Sequence, residues 1–496
     1  MRHAAAFDDR IFRNNALGFT LDLSGAPAGS APGMEAALAA LAALEAGAVA
    51  NADEGRQVGH YWLRDPERAP TAAVQDEIIE SWGRVADLPV GQFREILLIG
   101  IGGSALGPQL LAEALRGAGD AGRLHFLDNT DPEGILRVLG ALNPAETLCL
   151  VASKSGGTVE TRNGMIAAMQ WVEAAGLPWA PRAVAITTPG SALDRKAAAE
   201  GWLAQLPLWD WVGGRTSVTG TVGLAPMALA GWDWRGLLRG AAEMDAWCRG
   251  PADQNPAAQL AMAWFAAGGG RGERALVIEP YRDRLALVGR YLQQLVMESL
   301  GKRLDRRGAR VEQGLTVYGN KGSTDQHAFM QQVRDGRDDT FVHFIDTAAP
   351  APRLPVGDGL FADDHLLGFQ LGTRAALTEA GRPTVTITLA KVDAPSLGAL
   401  ISIFERAVGL YAELIDVNAY HQPGVEAGKL GASRALSALA RLAGALTEVP
   451  TTAAELAEGL DVEPAVAWRL LEHLAATGRA TRAPGDRPLL DAYRRP

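Results

Sequence analysis

Four consecutive apolar residues, Ile96 to Ile99, are followed at once by the glycine-rich segment Gly100-Ile101-Gly102-Gly103-Ser104. The apolar run predicts a buried parallel strand. The segment after it predicts a tight turn and then a helix that begins near Ser104, a residue type that caps helices well. Unpaired N–H groups at such a helix start favour an anion, phosphate above all. The turn alone is not specific, because its spacing is neither a dinucleotide fingerprint nor a P-loop.

A second segment of this kind follows further along the chain. The strand-like residues 147–151 lead into Ser153-Lys154-Ser155-Gly156-Gly157-Thr158, which combines three hydroxyl groups, two glycines and a lysine. A simple helix cap needs only one hydroxyl. The surplus therefore favours a phosphate-binding loop, in which hydroxyl and helix N–H groups donate hydrogen bonds and Lys154 supplies positive charge.

Strands and helices alternate along most of the chain. Strand-like runs occur at 96–99, 124–127, 148–152, 183–187, 274–278, 341–345 and 384–389. This rhythm predicts an α/β fold with two doubly wound parallel-sheet domains, whose ligands bind at the carboxyl ends of the strands. We expect a helical N-terminal cap (1–90), a first sheet domain (91–250), a second sheet domain (251–445) and a small helical, winged-helix-like C-terminal appendage (446–496).

Two further stretches carry polar or charged side chains next to glycines or apolar residues, which favours a functional role for them. Trp211-Val212-Gly213-Gly214-Arg215 places an arginine in a glycine-rich turn after an expected strand. One helix is expected over 285–301, and it places Gln294 and Glu298 four residues apart on one face. The apolar neighbours Val296 and Met297 argue against Glu298 as an ordinary surface residue.

Charge and cysteine usage exclude several classes of protein. The net charge of −10 is spread widely, whereas a nucleic-acid-binding protein has a basic face. From residue 447 onward the chain has six arginines and eight acidic residues, so the winged-helix-like tail is not suited to binding DNA. No apolar run reaches membrane-spanning length, and the start lacks a signal-peptide core. Cys149 and Cys248 are far apart and suggest no disulfide framework. We expect a cytoplasmic protein without nucleic-acid or membrane partners.

Lysine is rare here, with six lysines against 41 arginines. The lysines are 154, 196, 302, 321, 391 and 429. Since the chain uses arginine wherever a positive charge suffices, each lysine is a candidate for a role that arginine cannot fill, such as a compact ammonium against phosphate or a group that exchanges a proton.

Taken together, six stretches resemble, in order, the motifs of the glucose-6-phosphate isomerase family. They are Gly102-Gly103-Ser104, residues 153–161, Gly213-Gly214-Arg215, QLVMESLGK at 294–302, Gly322-Ser323-Thr324-Asp325-Gln326-His327 and HQPGVEAGK at 421–429. The resemblance covers about residues 60–445 and is closer to a shorter bacterial branch. Leu300 stands where the family often has Asn, and Ser155-Gly156-Gly157 where it is Thr-rich.

The resemblance implies two sugar-isomerase (SIS) domains and an enzyme that needs no cofactor or metal. The implied reaction is reversible isomerisation of glucose 6-phosphate and fructose 6-phosphate, by ring opening and an enediolate intermediate, in glycolysis and gluconeogenesis. The catalytic residues would be Glu298 as base, Arg215 stabilising the oxyanion, and His327 with Lys429 opening the ring. The substrate and phosphate contacts would come from Gly103, Ser104, Ser153, Lys154, Ser155, Thr158, Gly214, Gln294 and Gln422. In the family, the histidine completes the site of a second subunit, which implies a homodimer with His327 acting in trans.

Two alternatives remain open. One is a broader isomerase that also accepts mannose 6-phosphate, since tolerance at C2 is not readable from sequence. The other is a SIS-domain sugar-phosphate sensor with a DNA-reading tail. A sensor needs the phosphate loops but not a proton-transfer set, so the presence of Glu298, Arg215, His327 and Lys429 favours the enzyme.

Overall fold

The computed structural model describes residues 10–29, 31–349 and 352–496. The chain divides into two compact units, the first ending at His421 and the second running from Gln422 to Pro496. Each unit is described by itself. Across the described ranges, no helix is both long and apolar enough to span a bilayer.

The N-terminal region is partly β rather than only helical. Its elements are β1 (Ile11–Asn14), β2 (Phe19–Asp22), α1 (Met34–Glu45) and α2 (Ala72–Ala86). These two helices agree with the expected helical cap, and Thr71 caps α2 by accepting a hydrogen bond from the Val74 backbone N–H. The wholly helical cap was wrong, because β1 and β2 form an antiparallel hairpin that joins a sheet made much later in the chain. Pairing with a distant strand leaves little local signal in a four-residue segment.

The first sheet is wholly parallel and has the order β4-β3-β5-β6-β7. Its elements are β3 (Glu95–Ile99), α3 (Gly103–Leu115), β4 (Arg123–Leu127), α4 (Pro132–Gly140), β5 (Thr147–Ala152), α5 (Val159–Ala174), β6 (Ala183–Thr187), α6 (Ala192–Glu200) and β7 (Ala204–Pro207). Every residue of β3, β5 and β6 is buried, as their continuous apolar runs require. The chain leaves β3 and β5 in opposite directions, so a crevice opens between their carboxyl ends.

The second sheet has the order β1-β2-β15-β12-β8-β11. Helices α7 (Thr221–Ala230), α8 (Trp234–Trp247) and α9 (Pro256–Ala267) lead into it. Its own region contains β8 (Ala275–Pro280), α10 (Val288–Leu292), β9 (Lys302–Leu304), β10 (Arg310–Gln313), β11 (Val317–Tyr318), α11 (Met330–Asp335), β12 (Thr340–Thr347), β13 (Pro355–Gly357), β14 (Leu360–Phe361), α12 (Ala362–Glu379), β15 (Thr384–Leu389) and α13 (Ala394–Leu414). Strands β15, β12, β8 and β11 are parallel, and the N-terminal hairpin extends them antiparallel. The predicted α/β class with two parallel sheets is confirmed.

The helix expected over 285–301 is present from Val288 onward, but it is not α-helical throughout. A 3₁₀ turn at Asp283–Leu285 precedes α10, which continues into a π-helix at Gln293–Glu298. Met297, expected among buried neighbours, is 40% exposed. A π-turn depends on a wider hydrogen-bond ring that the apolar pattern does not distinguish from an α-turn, and such turns occur often at functional sites.

A buried charge network lies in the core of the first unit. Arg64 binds Asp245 and Glu405, and Arg406 binds Asp245 at 2.6 Å and Glu45 at 2.8 Å. The side chains of Arg64, Asp245 and Glu405 have no exposed fraction or almost none. Burial raises the pKa of Glu405 to about 7, while Arg64 opposes that shift. The network joins the N-terminal region to α8 and to the nearly fully buried α13.

The second unit contains α14 (Pro423–Ala445), β16 (Thr451–Thr452), α15 (Ala453–Gly459), α16 (Pro464–Ala476), β17 (Thr481–Ala483) and β18 (Ala492–Arg494). Its antiparallel sheet has the order β16-β18-β17. The winged-helix-like interpretation of residues 446–496 stays a prediction. The unit begins earlier than the expected appendage, because Leu442 and Leu446 pack with Leu471 and Leu474 in one apolar core. The boundaries at 90 and 250 stay predictions.

Candidate active site

The turn after β3 packs tightly against a second glycine turn. Helix α3 begins at Gly103 with Gly102 as its N-cap (φ 60°), so the prediction that Ser104 caps it was wrong. Ser104 lies instead in the first turn of the helix. A Cβ on Gly103 would lie 1.9 Å from the Gly214 carbonyl oxygen. Glycine at 103 therefore allows the predicted first turn and the Gly214-Arg215 turn to meet.

The loop after β5 keeps its hydroxyl groups close together. Ser153 Oγ donates to Thr158 Oγ1 at 3.1 Å, and the Gly157 N–H donates to Ser155 Oγ at 3.2 Å. Thr158 is the N-cap of α5 but makes no side-chain capping hydrogen bond. Its hydroxyl is therefore not used to cap the helix, and the start of α5 remains suited to an anion.

Lys154 lies in this loop and is fixed by two backbone oxygens. Its Nζ donates to the carbonyls of Asp210 and Val212, both at 2.8 Å. An ammonium group has three donors, so one remains for a ligand. Burial lowers the pKa of Lys154 to about 8, and the positive charge of Arg56 adds to the effect. The ammonium thus connects the β5 loop to the chain that leads into the Arg215 turn.

Arg215 is buried and faces Glu298. Its residue exposure is 4%, its Nε lies 3.9 Å from Glu298 Oε2, and its Nη2 donates to the His421 carbonyl oxygen at 3.3 Å. Burial lowers the pKa of Arg215, and Glu298 opposes that shift. A guanidinium still remains charged in such a setting. The arrangement places a fixed positive charge beside a carboxylate.

Glu298 ends the π-helix, and Gln294 lies one turn before it. Both side chains are part-exposed, whereas Leu295 and Val296 between them are buried. A Cβ on Gly102 would lie 3.2 Å from Gln294 Nε2, so this amide reaches the turn after β3. The side chain of Glu298 is 21% exposed, which leaves its carboxylate open to a ligand. The two predicted residues thus connect the second sheet region to the turns of the first.

Lys302 was not among the predicted site residues. It is 5% exposed, and its Nζ donates to the carbonyl oxygens of Glu298 (2.7 Å) and His421 (3.0 Å). Burial lowers its pKa to about 7, and the charge of Arg215 adds to this shift. The sequence did carry a signal, because Lys302 is one of only six lysines and ends the QLVMESLGK motif.

The remaining predicted residues lie elsewhere. His327 is exposed, on a 3₁₀ turn at Thr324–His327 after β11. Within the described ranges its imidazole makes no hydrogen bond or ion pair. Gln422 and Lys429 belong to the second unit, where Gln422 precedes α14 and Lys429 is exposed on it. Their part in a common site stays a prediction.

The fold and these side chains define a class of protein: a two-sheet α/β protein with glycine-rich turns suited to an anion and a paired carboxylate and guanidinium. The family model described as phosphoglucose isomerase matches residues 39–353 and 373–449. The chain therefore belongs to the phosphoglucose isomerase family, and the resemblance carried by the six motifs is confirmed.

Individual relatives agree with this assignment. The chain is 54% identical to the glucose-6-phosphate isomerase of Synechococcus sp. (strain JA-3-3Ab), over 91% of this chain and 90% of that protein. It is 50% identical to that of Parasynechococcus marenigrum (strain WH8102), over 97% and 91%. Among solved structures, a glucose-6-phosphate isomerase from Chlamydia trachomatis D/UW-3/Cx has a TM-score of 0.79 at 25% identity and covers 88% of this chain and 91% of its own.

Proposed function

We propose that this protein interconverts glucose 6-phosphate and fructose 6-phosphate. The observation that carries the proposal is the Glu298 carboxylate beside the buried Arg215 guanidinium, within reach of turns suited to phosphate. Aldose–ketose isomerisation needs a base for the proton that moves between C1 and C2 and a positive charge for the enediolate oxygen. Family membership and the names of the relatives support the same reaction.

The phosphate-binding part of the proposal rests on the two turns at the sheet crevice. Ser104, Ser153, Ser155 and Thr158 would donate hydroxyl hydrogen bonds, and Lys154 would supply the charge. Gly103 and Gly214 would allow the backbone to approach. Binding energy at this non-reacting group can orient the carbons that react, which lowers the barrier of the proton transfer.

The proton-transfer part assigns Glu298 as base and Arg215 as the oxyanion-stabilising group. Glu298 offers an accessible carboxyl group, as a base must, whereas Arg215 is held in place by the His421 carbonyl. Gln294 would contact the substrate between these groups and the first turn. A preorganised charge needs no rearrangement when the enediolate forms.

Ring opening is proposed for His327 and Lys429, with Gln422 contacting the substrate. An imidazole exchanges protons near neutral pH, and a lysine can act as a compact donor. His327 is exposed and its ring is not engaged by the described part of its own chain, which suits action on a second subunit. We propose a homodimer in which His327 completes the partner's site.

An apolar surface near His327 supports that dimer. Helix α12 carries Leu367, Phe369 and Leu371, which are 50%, 48% and 53% exposed, and Gln326 Nε2 donates to the Phe369 carbonyl oxygen. Leu367 and Leu371, four residues apart, lie on one face of α12 and Phe369 lies on another, and exposed apolar side chains on a folded protein are typical of an interaction surface. In the proposed dimer, a second copy of this chain would cover the helix and bring its own His327 close to the dimer interface.

The proposed setting is the cytoplasm, in glycolysis and gluconeogenesis, where these sugar phosphates are exchanged. Cys149 and Cys248 are both buried free thiols, compatible with a reducing compartment. We propose that neither nucleic acid nor a membrane is a partner of this protein, in keeping with the net charge of −10. The sensor alternative is disfavoured by the presence of a base and an oxyanion group, which a sensor does not need.

A substrate panel tests the proposal. Fructose 6-phosphate, mannose 6-phosphate and unphosphorylated fructose are each incubated with the protein in chelator, and aldose–ketose conversion is followed by a coupled assay. Conversion of fructose 6-phosphate alone supports the proposed enzyme, and conversion of mannose 6-phosphate as well supports the broader isomerase. A folded protein that converts none of them, yet binds genomic DNA fragments tightly and in a salt-sensitive way, would favour the sensor.

A further inference from the structure

A buried carboxyl group that the proposed chemistry does not use lies at the carboxyl end of β8. Glu279 has no exposed fraction, and in the described part of the chain no backbone or side-chain N–H donates to either of its oxygens. Its carboxyl group adjoins that of Asp325, which is itself 2% exposed. A buried carboxyl without an N–H donor is costly unless it carries a proton.

The surroundings of Asp325 decide which of the two carboxyls holds that proton. Asp325 Oδ2 accepts from the backbone N–H groups of Asn320 at 2.7 Å and Lys321 at 3.1 Å, and its Oδ1 accepts from Asn320 Nδ2 at 3.2 Å. Three N–H donors stabilise a carboxylate. These donors favour Glu279, which has none, as the carboxyl group that holds the proton. Burial and the charge of Asp325 raise the pKa of Glu279 to about 9.

Glu279 is the first of three consecutive residues, at the end of β8 and directly after it, that hold the same loop. The carbonyl oxygen of Pro280 accepts from the Gly322 N–H at 3.1 Å. Tyr281 OH accepts from Gln326 Nε2 at 3.0 Å, and a Cβ on Gly322 would lie 2.2 Å from the Tyr281 ring. These contacts bind the loop at 322, 325 and 326, directly before His327.

We propose that Glu279 is a positioning residue for His327, because its protonated carboxyl holds Asp325 and thereby fixes the loop that presents the imidazole. The inference deepens the proposed function and rests on the role given there to His327. The titratable groups facing Glu279 are Asp325 from the loop, Tyr281 directly after β8 and Tyr318 from β11. Of these, Asp325 is the one carboxyl group.

The test compares Glu279→Gln, Glu279→Met and His327→Ala in the full chain. A glutamine amide can donate to Asp325 as the protonated carboxyl does, whereas methionine fills the space but cannot donate. Ring opening is followed by NMR as exchange between the α and β anomers of glucose 6-phosphate, since opening and closing the ring interconverts them. Hydrogen exchange of residues 319–327 reports on the loop whether or not the protein is active. Thermal unfolding is measured to establish whether each variant is folded.

The expected result is that Glu279→Met and His327→Ala both slow anomer exchange by at least about tenfold, while Glu279→Gln stays within about twofold of the wild type. Hydrogen exchange of the loop should rise in Glu279→Met alone. As pH passes about 9, ring opening should fall more steeply in the wild type than in Glu279→Gln, because two adjacent carboxylates repel in the wild type alone.

The inference is overturned if Glu279→Met leaves loop exchange at the wild-type level, or if Glu279→Gln loosens the loop as much as Glu279→Met does. If Glu279→Met fails to fold, hydrogen exchange of the loop is compared between the wild type and Glu279→Gln above pH 9. Identical exchange in the two proteins overturns the inference. A wild-type protein that converts no sugar phosphate contradicts the proposed function instead, and loop exchange still decides the role of Glu279.

Discussion

Arg215 Nε lies 3.9 Å from Glu298 Oε2, although one residue follows the first sheet and the other ends a π-helix in the region of the second. The guanidinium is buried and the carboxylate is partly open. The two halves of the first unit therefore meet at an opposite-charge pair that can serve both parts of a proton-transfer reaction.

Arg215→Lys should lower kcat by about 10², because an ammonium keeps the charge but cannot reproduce the planar reach toward Glu298 and the His421 carbonyl. The substrate KM should change little if the group acts on the enediolate. Steady-state kinetics measure both values. Arg303→Lys, at an exposed position on β9, is the matched control and should behave as wild type. An active Arg215→Lys enzyme would show that any cation suffices there.

Lys154→Ala should raise KM by about tenfold or more with a smaller effect on kcat, because the phosphate group does not react. The pKa of Lys154 is lowered to about 8 by burial, so the cation is present below that pH and lost above it. We therefore expect kcat/KM of the wild type to decline as pH rises through 8. Lys196→Ala on α6 is the control. A KM unchanged by Lys154→Ala would remove this residue from phosphate binding.

Lys302→Met should lower both stability and kcat. Its Nζ donates to the carbonyls of Glu298 and His421, and a buried carbonyl that loses its donor costs about 1–3 kcal/mol. The end of the π-helix should then be less well fixed, which misplaces the base. Chemical denaturation and kcat are measured together. A variant with reduced stability but wild-type kcat would assign Lys302 a structural role alone.

Arg64→Met should destabilise the first unit by about 3–5 kcal/mol, because it leaves Asp245 and Glu405 as buried acidic groups without their shared cation. The free energy of unfolding, measured by denaturant titration, checks this. Arg68→Met serves as control, since that side chain is 50% exposed and its ion pair contributes little. Equal stability of the two variants would mean that Arg406 alone neutralises the network.

The sheets were predictable because β3, β5 and β6 are buried on both faces and read as continuous apolar runs. The polar turns that follow β3 and β5 were predictable once these strands were recognised. The carboxyl ends of parallel strands meet at a common edge of the sheet, where ligands bind. The β1–β2 hairpin and the π-turn at Glu298 were not predictable. The first depends on a distant strand, and the second on a hydrogen-bond register that side-chain patterns do not specify.

The roles given to the site residues stay predictions, but the structure shows where those residues lie. Ser153, Arg215 and Glu298 stood out by their chemistry, and the structure places them in adjoining turns and helix ends. Lys302 was missed because its role depends on two backbone carbonyls, and a carbonyl has no sequence signature. The contact between Gly103 and Gly214 was equally hidden, since it becomes visible only when the two turns are brought together.

The central claim is that Glu298 is the base, and the most direct measurement is kcat of Glu298→Gln for fructose 6-phosphate, compared with wild type and with Glu312→Gln at an exposed position on β10. The amide keeps the shape but cannot take the proton. We predict a loss in kcat of about 10²–10⁴ with nearly unchanged substrate binding, and a wild-type value for Glu312→Gln. A Glu298→Gln enzyme with wild-type kcat, or one that loses binding and turnover equally, would contradict the account.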